Sequence, residues 1–400
     1  MSTETQTPTE PAAVAPRGLA IDLRQYGILA ALVAIIALFE VLTGGRLLMP
    51  GNVNNLIQQN SYVLILAIGM VMVIIAGHID LSVGAVVAMV GAVTALAMSS
   101  WNLPWWMAVI VALLTGALVG AWQGFWVAFV QIPAFIVTLA GMLLFRGLTL
   151  VFLHGGTIGG LPDSFVAIGA GWLPNWLGFV GRTDVLTMVL ALLACTLLIF
   201  FQTSARNSRK KLLLPVEGTA SFWGKIVIAV LAILGVSWQL ANYSGTPIIL
   251  IILAVLVLSY SFLLNRSVFG RHVYAMGGNI FAAVMSGVKT KRVNFALFVN
   301  IGMLAALAGV VSTSRAGSAV ASAGQNYELD AIAAVFIGGA AVQGGVGTVT
   351  GAMIGGLVMG VLNMGLSILS VDAAWQMAIK GLVLLLAVAF DLTNKRRGGH

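Results

Sequence analysis

Charged residues are scarce in this chain of 400 residues. Asp, Glu, Lys and Arg make up 8% of it and apolar residues 60%, whereas soluble domains average about 25% and about 45 to 50%. Residues 81–145 and 331–371 contain no Asp, Glu, Lys, Arg or His. One membrane span needs only about 20 apolar residues, so each stretch crosses a bilayer more than once. The composition excludes a water-soluble globular fold and predicts an all-α integral membrane protein.

Several chemical motifs are also missing. The one cysteine, Cys195, lies in an apolar segment, which excludes an intrachain disulfide and a cysteine-cluster metal site. The four histidines form no HExxH motif and have no clustered carboxylates beside them, which argues against an intramembrane metalloenzyme. The sequence GxxxxGK[ST] is absent, so the ATP-binding machinery does not lie in this polypeptide. We therefore expect no catalytic residues, metal or cofactor in this chain.

The two ends of the chain differ from its middle. Residues 1–16 are polar and rich in Pro and Thr, without the basic start and apolar core of a cleaved signal peptide. We predict a disordered cytoplasmic tail at 1–24, one transmembrane domain at 25–393 and a basic cytoplasmic tail at 394–400. The net charge of +8 comes from short basic runs beside apolar segments, without the aromatic-interleaved basic face that single-stranded nucleic acid needs.

Apolar segments between turn and charge signals predict ten to twelve membrane helices. The twelve-span interpretation places them near 27–43, 60–77, 82–99, 104–130, 132–153, 184–202, 224–242, 247–264, 294–313, 329–346, 349–370 and 374–391. With both termini in the cytoplasm, 15 of the 20 basic residues lie there too, as the positive-inside rule asks. An odd number of spans would put the run at 206–211 or the C-terminal run outside, which favours the even number.

Glycine recurs at helical spacing among its 47 occurrences, for example at 116, 120 and 124 and at 347, 351 and 355. Small residues four apart let membrane helices approach closely, which explains the pattern better than a phosphate-binding loop. The sequence at 116–120 is echoed at 351–355, and Ala134-Phe135 is echoed by Ala374-Trp375. These pairs predict an inverted repeat, although chance similarity among apolar helices explains them equally well.

Polar groups inside apolar segments are costly and therefore mark candidate sites. The first group lies in 77–84, where glycines bracket a short connection and predict a broken helix or tight re-entrant turn. Asp80 is placed to cap the following helix, and Ser82 to add a second bond there. Alternatively, His78, Asp80 and Ser82 face the substrate pathway or a gate.

The second group lies at 322–330 and includes Gln325, Glu328 and Asp330. Hydroxyl, amide and carboxylate groups together suit the many hydroxyls of a neutral sugar, and they suit an external loop equally well. Asn363 and Gln376 are isolated polar residues in late spans, where interhelical hydrogen bonding is the simplest explanation. We include Asn363 among the candidate pathway residues.

The third candidate is the cytoplasmic segment 265–293. Asn279 suits the N-cap of a short helix, and Gly287 suits its end. Ala282 and Ala283 leave the surface of that helix smooth. Such a helix would dock into a groove on another protein, although a connecting loop could have the same shape by chance.

Four ordered segments, 76–84, 132–147, 277–287 and 328–339, resemble the ribose/xylose-type permeases of ATP-binding-cassette importers, and the resemblance covers roughly 50–395. It implies a transmembrane domain in the bacterial inner membrane that pairs with a second permease copy. It further implies two cytoplasmic ATP-binding subunits, which hold the ATP and Mg, and a periplasmic sugar-binding protein.

The resemblance also implies that 279–288 is a coupling helix that contacts the ATPase. The residues it assigns to this role are Gly277, Gly278, Asn279, Ala282, Ala283, Ser286 and Gly287. Phe281 stands where the Glu-Ala-Ala-x-x-x-Gly motif of importers has Glu. The departure weakens the case for an ion pair with the ATPase and leaves the docking shape intact.

Many members of that family lack the stretch at about 184–240, whose two apolar spans flank the basic run 206–211. The longer form, together with the sequence at 242–247, looks most like the xylose permeases. D-Xylose is therefore the expected sugar, delivered by the binding protein and released inward by alternating access.

Two other transport functions are weighed against this one. An ion-coupled secondary transporter would need buried carboxylates to bind its ion, and only Glu40 and Asp80 lie within or beside the early spans. A permease for branched-chain amino acids on a related scaffold would differ in the binding protein that stimulates its ATPase. The sequence favours the sugar importer.

Overall fold

The computed structural model describes residues 23–216 and 218–397, and it describes side chains within 27–389 apart from 217. Residues 1–22 of the predicted N-terminal tail and residues 398–400 of the predicted C-terminal tail lie outside the described residues. The first eight helices are α1 (Leu23–Leu42), α2 (Pro50–Gln59), α3 (Ser61–Ile75), α4 (Val83–Ser99), α5 (Trp105–Phe125, continued by a π-helical turn at Trp126–Val130), α6 (Ala134–Leu153), α7 (Asp163–Ala170) and α8 (Val185–Lys211). The next eight are α9 (Thr219–Ala241), α10 (Ile248–Arg266), α11 (Val268–Gly278), α12 (Ile280–Met285), α13 (Thr290–Ala316), α14 (Tyr327–Ile337), α15 (Val349–Ile368) and α16 (Ala373–Arg397).

Strands are minor and lie in connections between helices. Strand β1 (Thr157–Ile158) pairs antiparallel with β4 (Ala319–Val320), with Thr157 opposite Val320. Strands β2 (Phe179–Val180) and β3 (Thr183–Asp184) form a second antiparallel pair, with Phe179 opposite Asp184. The prediction of an all-α membrane protein is confirmed.

Seven helices in the described part of the chain are long and apolar enough to cross a membrane. The pair α2 and α3, bent by 42°, supplies an eighth span if counted as one. Three shorter apolar stretches, at Gly27–Leu42, Val83–Ser99 and Ala373–Ala389, fall below that length. Eight spans are fewer than the predicted ten to twelve, a number that the described chain reaches only if the shorter stretches also cross.

One predicted span is wrong as a continuous helix. Instead of running through 329–346, helix α14 ends at Ile337 and residues 338–348 are irregular. The chain takes positive φ at Gly339, Gly344 and Gly345, a conformation that glycine adopts without strain. Glycine is compatible with a membrane interior in a helix and in irregular backbone alike. The apolar composition of this segment therefore does not indicate the break.

The core forms where glycines let helices touch through their backbones. A side chain added at Gly116 would overlap Gly302 of α13, and one added at Gly120 would overlap Phe298 of the same helix. Helix α13 also packs against α3 and α4. Close approach through small residues is the usual basis of helix association in membranes, where lipid removes the hydrophobic driving force.

The packing of the helices agrees with an internal repeat. Helix α13 packs on α4 and α5 as α3 packs on α14 and α15. In the same way, α4 packs on α5 and α6, and α14 packs on α15 and α16. Helices α3 to α6 thus correspond in order to α13 to α16, which agrees with the two sequence echoes and supports the repeat.

The pair α8 and α9 stands apart from this arrangement. The two helices pack on each other, and α9 also touches α2. Their stretch of chain leaves and rejoins the bundle at one point, because Trp172 and Pro247 form an antiparallel bridge. Two backbone hydrogen bonds flank the bridge, from Leu173 N to Thr246 O (2.9 Å) and from Ile248 N to Gly171 O (3.1 Å).

Candidate functional site

A polar cavity of about 240 Å³ lies where α2 and α3 meet the start of α14. Its lining comes from five parts of the chain: Gln58, Gln59, Asn60, Ser61, Tyr62, Ser312, Arg315, Tyr327, Asn363, Ser367, Gln376 and Lys380. Hydroxyl, amide and charged groups dominate the list. The volume falls below the roughly 300 to 1,000 Å³ of pockets for drug-sized ligands, so the cavity suits a small polar solute.

Two tyrosines form one wall of the cavity. The rings of Tyr62 and Tyr327 stack with centroids 3.5 Å apart and planes 15° from parallel. The Tyr62 hydroxyl donates to Asp330 Oδ2 at 2.8 Å, and the Tyr327 hydroxyl lies 3.4 Å from Ser312 Oγ. These bonds hold the rings in place between α3, α13 and α14.

A charge pair joins α14 to α16 beside the tyrosines. Lys380 Nζ lies 3.1 Å from Asp330 Oδ2, and the two side chains are 21% and 2% exposed. Asp330 Oδ1 is buried and has no hydrogen-bond partner among the described residues. A charge taken out of water needs a partner, and each member of this pair neutralises the other.

Amide groups line the opposite side of the cavity. Asn363 Nδ2 donates to Asn60 Oδ1 at 3.2 Å, which links α15 to the junction of α2 and α3. The predicted interhelical bond of Asn363 is confirmed, and its Oδ1 is buried without a partner in the described structure. Gln376 also lines the cavity, but its side-chain amide donates within its own segment, to Val371 O.

The first predicted group forms a buried polar cluster at the start of α4. Asp80 Oδ1 accepts from the backbone N of Ser82 (2.8 Å) and from its hydroxyl (2.6 Å). Ser82 Oγ in turn accepts from Gln123 Nε2 of α5 at 2.6 Å. Neither side chain accepts from an amide of α4, so the predicted capping of this helix by Asp80 and Ser82 is wrong. Asp80 instead binds Ser82, the residue just before the helix. His78 lies apart, 3.1 Å from Asn294 Oδ1 of α13.

The two groups that the sequence analysis treated separately meet in space. Glu328 Oε2 and the Gly324 carbonyl both lie against Gly84, where any side chain would overlap them. Arg146 of α6 closes this contact, since its Nη1 donates to Ala323 O at 2.6 Å. Glu328 is within electrostatic range of Arg146 and Asp80. Gln325 is exposed and does not line the cavity.

The third predicted group has the expected local structure. Asn279 caps α12 by accepting from Ala282 N at 3.0 Å, and the helix ends before Gly287, which has a φ of +82°. Ser286 Oγ donates to Ala282 O at 2.9 Å and closes the last turn. Phe281 and Met285 are 80% and 87% exposed, whereas Ala283 is buried. Helix α12 therefore presents an apolar face outward.

The residues before α12 touch the bundle through backbone atoms. Gly277 lies against Ile75 O at the end of α3, and Gly345 N donates to the same carbonyl at 2.8 Å. The Tyr274 hydroxyl of α11 donates to Gly347 O at 2.6 Å. Burial raises the pKa of the Tyr274 hydroxyl, which keeps it protonated and able to donate. Gly278 has open space around it.

Several site residues were missed by sequence reasoning. Tyr62, Arg315 and Lys380 line the cavity, and Arg146 and Gln123 bind the two polar groups. Lys380 was the easiest of them to predict from sequence, because it is a lone cation within an otherwise apolar span. Among the described residues, no group of three His, Cys, Asp or Glu side chains could hold a metal ion.

The chain is similar to known transport proteins over most of its length. The family described as "Branched-chain amino acid transport system / permease component" matches residues 52–388. The xylose transport system permease proteins of Haemophilus influenzae and Escherichia coli K12 are each 39% identical to it, over 94% of this chain and 98% and 94% of theirs. The ribose import permease protein of H. influenzae is 32% identical, over 93% of each chain. No solved structure matches the chain.

These helices, with a polar cavity between them and no enzymatic relative among the proteins above, define a multi-pass membrane permease. The chain belongs to the family of permease components just described, since the match covers more than four fifths of its length. The prediction that it is a transport subunit and not an enzyme is confirmed by the names of its relatives.

Proposed function

We propose that the chain is the D-xylose permease subunit of an ATP-driven importer. That it is the permease component of a sugar transporter follows from its sugar-transporting relatives. The choice of D-xylose rests on identity, which is 39% to the xylose permeases and 32% to the ribose permease.

The observation that carries the proposal is the polar cavity between Tyr62 and Lys380. Sugars offer hydroxyl groups that both donate and accept hydrogen bonds, along with apolar C–H faces. The amides of Asn60 and Asn363, with the hydroxyl of Ser312, provide matching donors and acceptors. Asp330 and Lys380 neutralise each other, so this pair does not call for a charged solute.

The cluster formed by Asp80, Ser82 and Glu328 is proposed to act deeper on the pathway, as a gate. It joins the starts of α4 and α14, the corresponding helices of the two repeats. Discontinuous helices that meet at a repeat interface are where transporters place their substrate sites and gates. We assign no contact with sugar to His78 or Gln325, since the first bonds Asn294 and the second is exposed.

The energy of ATP hydrolysis is transmitted to this pathway through α12. We propose that the exposed Phe281 and Met285 insert into a groove on a partner ATPase, which binds the ATP and Mg. Movement of α12 would pass to Gly277 and then to the carbonyl of Ile75 and the loop at Gly345. Because α3 ends at Ile75 and the loop that contains Gly345 joins α14 to α15, the three helices would tilt together and release sugar inward.

The assembly and orientation are part of the same proposal. ATP-binding subunits and a periplasmic binding protein complete an importer of this family. We propose in addition a homodimer of permeases in the inner membrane with both termini in the cytoplasm. The orientation rests on the positive-inside rule, which places 15 of the 20 basic residues in the cytoplasm.

A branched-chain amino acid substrate is the second candidate, favoured by the description of the matching family. Arg315 lines the cavity and could pair with a carboxylate. An aliphatic side chain would need an apolar pocket, however, and the lining of this cavity is polar.

The test is reconstitution in liposomes with the co-encoded ATPase and binding protein. ATP hydrolysis and uptake are measured with xylose, ribose, arabinose, galactose and leucine in turn. We expect xylose to stimulate both, and only when the binding protein is present. Stimulation by leucine would replace the sugar with an amino acid. Sugar uptake driven by an ion gradient without the ATPase would overturn the importer mechanism.

A deletion provides the control for coupling within this system. A chain lacking residues 279–288 should bind no ATPase and transport no sugar, because α12 is the only docking element in the proposal. Transport at the wild-type rate by this deletion would refute the assigned role of α12.

A further inference from the structure

A second cavity, of about 420 Å³, lies beside α12, at the opposite end of α3 from the polar cavity. Its lining comes from the chain that follows α3, the π-helical turn after α5, the start of α6 and the start of α13. Ile280 of α12 completes the lining, and we call this space the α12 cavity. The sugar pathway described so far does not include it.

Helices α3 and α13 connect the α12 cavity to the polar cavity. The polar cavity lies at the start of α3 and the end of α13, whereas the α12 cavity lies at the end of α3 and the start of α13. The two helices therefore run antiparallel between the cavities, and they touch where Gly69 packs on Ile301 and Leu304. The 15 residues of α3 separate the cavities by about 22 Å.

The two cavities are built from corresponding parts of the internal repeat. When α3 to α6 are matched with α13 to α16, the end of α5 and the start of α6 correspond to the end of α15 and the start of α16. The first two line the α12 cavity, with Val127 and Ala134, and the last two line the polar cavity, with Asn363 and Gln376. Because corresponding helices pack alike, a solute site at one end of the bundle predicts a second site at the other end.

The gate proposed above lies between the two cavities. Asp80 follows Ile79, which lines the α12 cavity, and Glu328 follows Tyr327, which lines the polar cavity. Glu328 reaches the cluster of Asp80 through its contact with Gly84. A solute that passes this cluster from the polar cavity enters the α12 cavity next.

Three side-chain groups of the α12 cavity are available to bind a solute. Asn294 Oδ1 lies 3.1 Å from His78 Nε2, which leaves the Nδ2 group of Asn294 to donate. The amide group of Gln131 and the hydroxyl of Thr290 have no hydrogen-bond partner among the described residues. Amide and hydroxyl groups match the hydroxyls of a sugar, and Ile79 offers apolar surface to its C–H face.

We propose that the α12 cavity is a second monosaccharide site, which receives the sugar after the gate and from which the sugar leaves the permease. This assignment rests on the proposed sugar function. Asn294, Gln131 and Thr290 bind the sugar hydroxyls. Lys291 is exposed, so water screens its charge and no anion is required. Because Ile280 belongs to the helix that the ATPase is proposed to move, movement of α12 changes this cavity directly and empties it.

Cysteine protection tests the site in the complex of permease and ATPase, held in nanodiscs that leave both membrane faces open. Cys195→Ala removes the one cysteine of the chain, and Thr290→Cys then places one in the α12 cavity. The matched control is Thr350→Cys, an exposed threonine at the start of α15, outside the lining of both cavities. We expect D-xylose above twice its Kd to slow maleimide modification at position 290 by at least about threefold. Position 350 should react at an unchanged rate, and leucine should protect neither position.

Gln131→Gly, added to Thr290→Cys, should abolish the protection. Gln131 has a φ of +66°, which glycine adopts without strain, so this variant removes the amide group and is compatible with the fold. His154→Gly, at a φ of +49°, is its control and should keep the protection. Asn363→Leu in the polar cavity should keep it too, because the two sites are separate. Protection that is lost with Asn363→Leu and retained with Gln131→Gly would overturn the second site.

Xylose uptake by the reconstituted importer is measured in parallel, so that the site and the proposed function are tested separately. Uptake without protection at position 290 would refute the second site and leave the proposed function intact. Protection without uptake would support the site and refute the function.

Discussion

The central helices are no more apolar than the pair α8 and α9, but they are far more buried. The most apolar windows of α13 and α15 are 61% and 67% buried, whereas those of α8 and α9 are 17% and 6% buried. Glycines show the same contrast, since Gly116 and Gly120 touch backbone and Gly224 and Gly235 have open space. Hydropathy thus indicates that a helix lies in a membrane. Contacts between small residues indicate whether it lies at the centre or at the edge of the bundle.

The largest expected effect comes from breaking a central glycine contact. In Gly120→Leu, the side chain must displace the backbone of α13 near Phe298, which cannot yield. We expect a loss of at least about 3 kcal/mol and little monodisperse protein after extraction. Size-exclusion chromatography and thermal unfolding measure the effect.

Gly235→Leu on α9 is the matched control, since nothing lies within 4 Å of a side chain there. It should leave stability unchanged or slightly raised, because leucine favours helix over glycine. Equal damage by both substitutions would remove the distinction between the two regions.

Next in size is the loss of the charge pair in the cavity. Asp330→Asn leaves Lys380 without its partner, which should cost about 3 kcal/mol and reduce sugar uptake. Adding Lys380→Met should restore most of the stability, because the unpaired cation is removed. Thermal unfolding of both single variants and the double variant gives the coupling energy. Asp372→Asn, on an exposed residue, is the control and should change little.

Substitutions on α12 should reduce transport without changing stability. Phe281→Ala with Met285→Ala removes the exposed apolar face but no contact of the bundle. Thermal unfolding should be unchanged, while sugar-stimulated ATP hydrolysis should fall by roughly tenfold or more. Leu212→Ala with Leu213→Ala, an exposed pair after α8, should leave hydrolysis at the wild-type rate.

The smallest effect on stability and uptake is expected from the largest change to the chain, which is the removal of α8 and α9. Residues 174–245 can be replaced by a short Gly-Ser linker, because Leu173 and Thr246 are already hydrogen-bonded. The shortened chain should keep its unfolding temperature within a few degrees and its uptake within about twofold. An unfolded product would mean that α8 and α9 support the bundle after all.

Much of the fold was predictable, because apolar runs and glycine spacing determine where helices form and where they touch. The break after Ile337 was not, since glycine-rich apolar sequence is compatible with helix and with irregular backbone alike. Asn279 and Gly287 were predicted correctly because capping is local in sequence. The cavity was not, because Tyr62, Arg315 and Lys380 are brought together only by tertiary packing.

The contact between Gly277, Ile75 and Gly345 has a consequence for the evolution of the complex. It is made by backbone atoms, since a Cβ at Gly277 would overlap both neighbours. Side chains on the outer face of α12 are therefore free to change with those of a partner without altering how α12 is seated on the permease. In the proposed coupling, such a joint lets the permease change the surface that it presents to an ATPase while the movement that it receives stays the same.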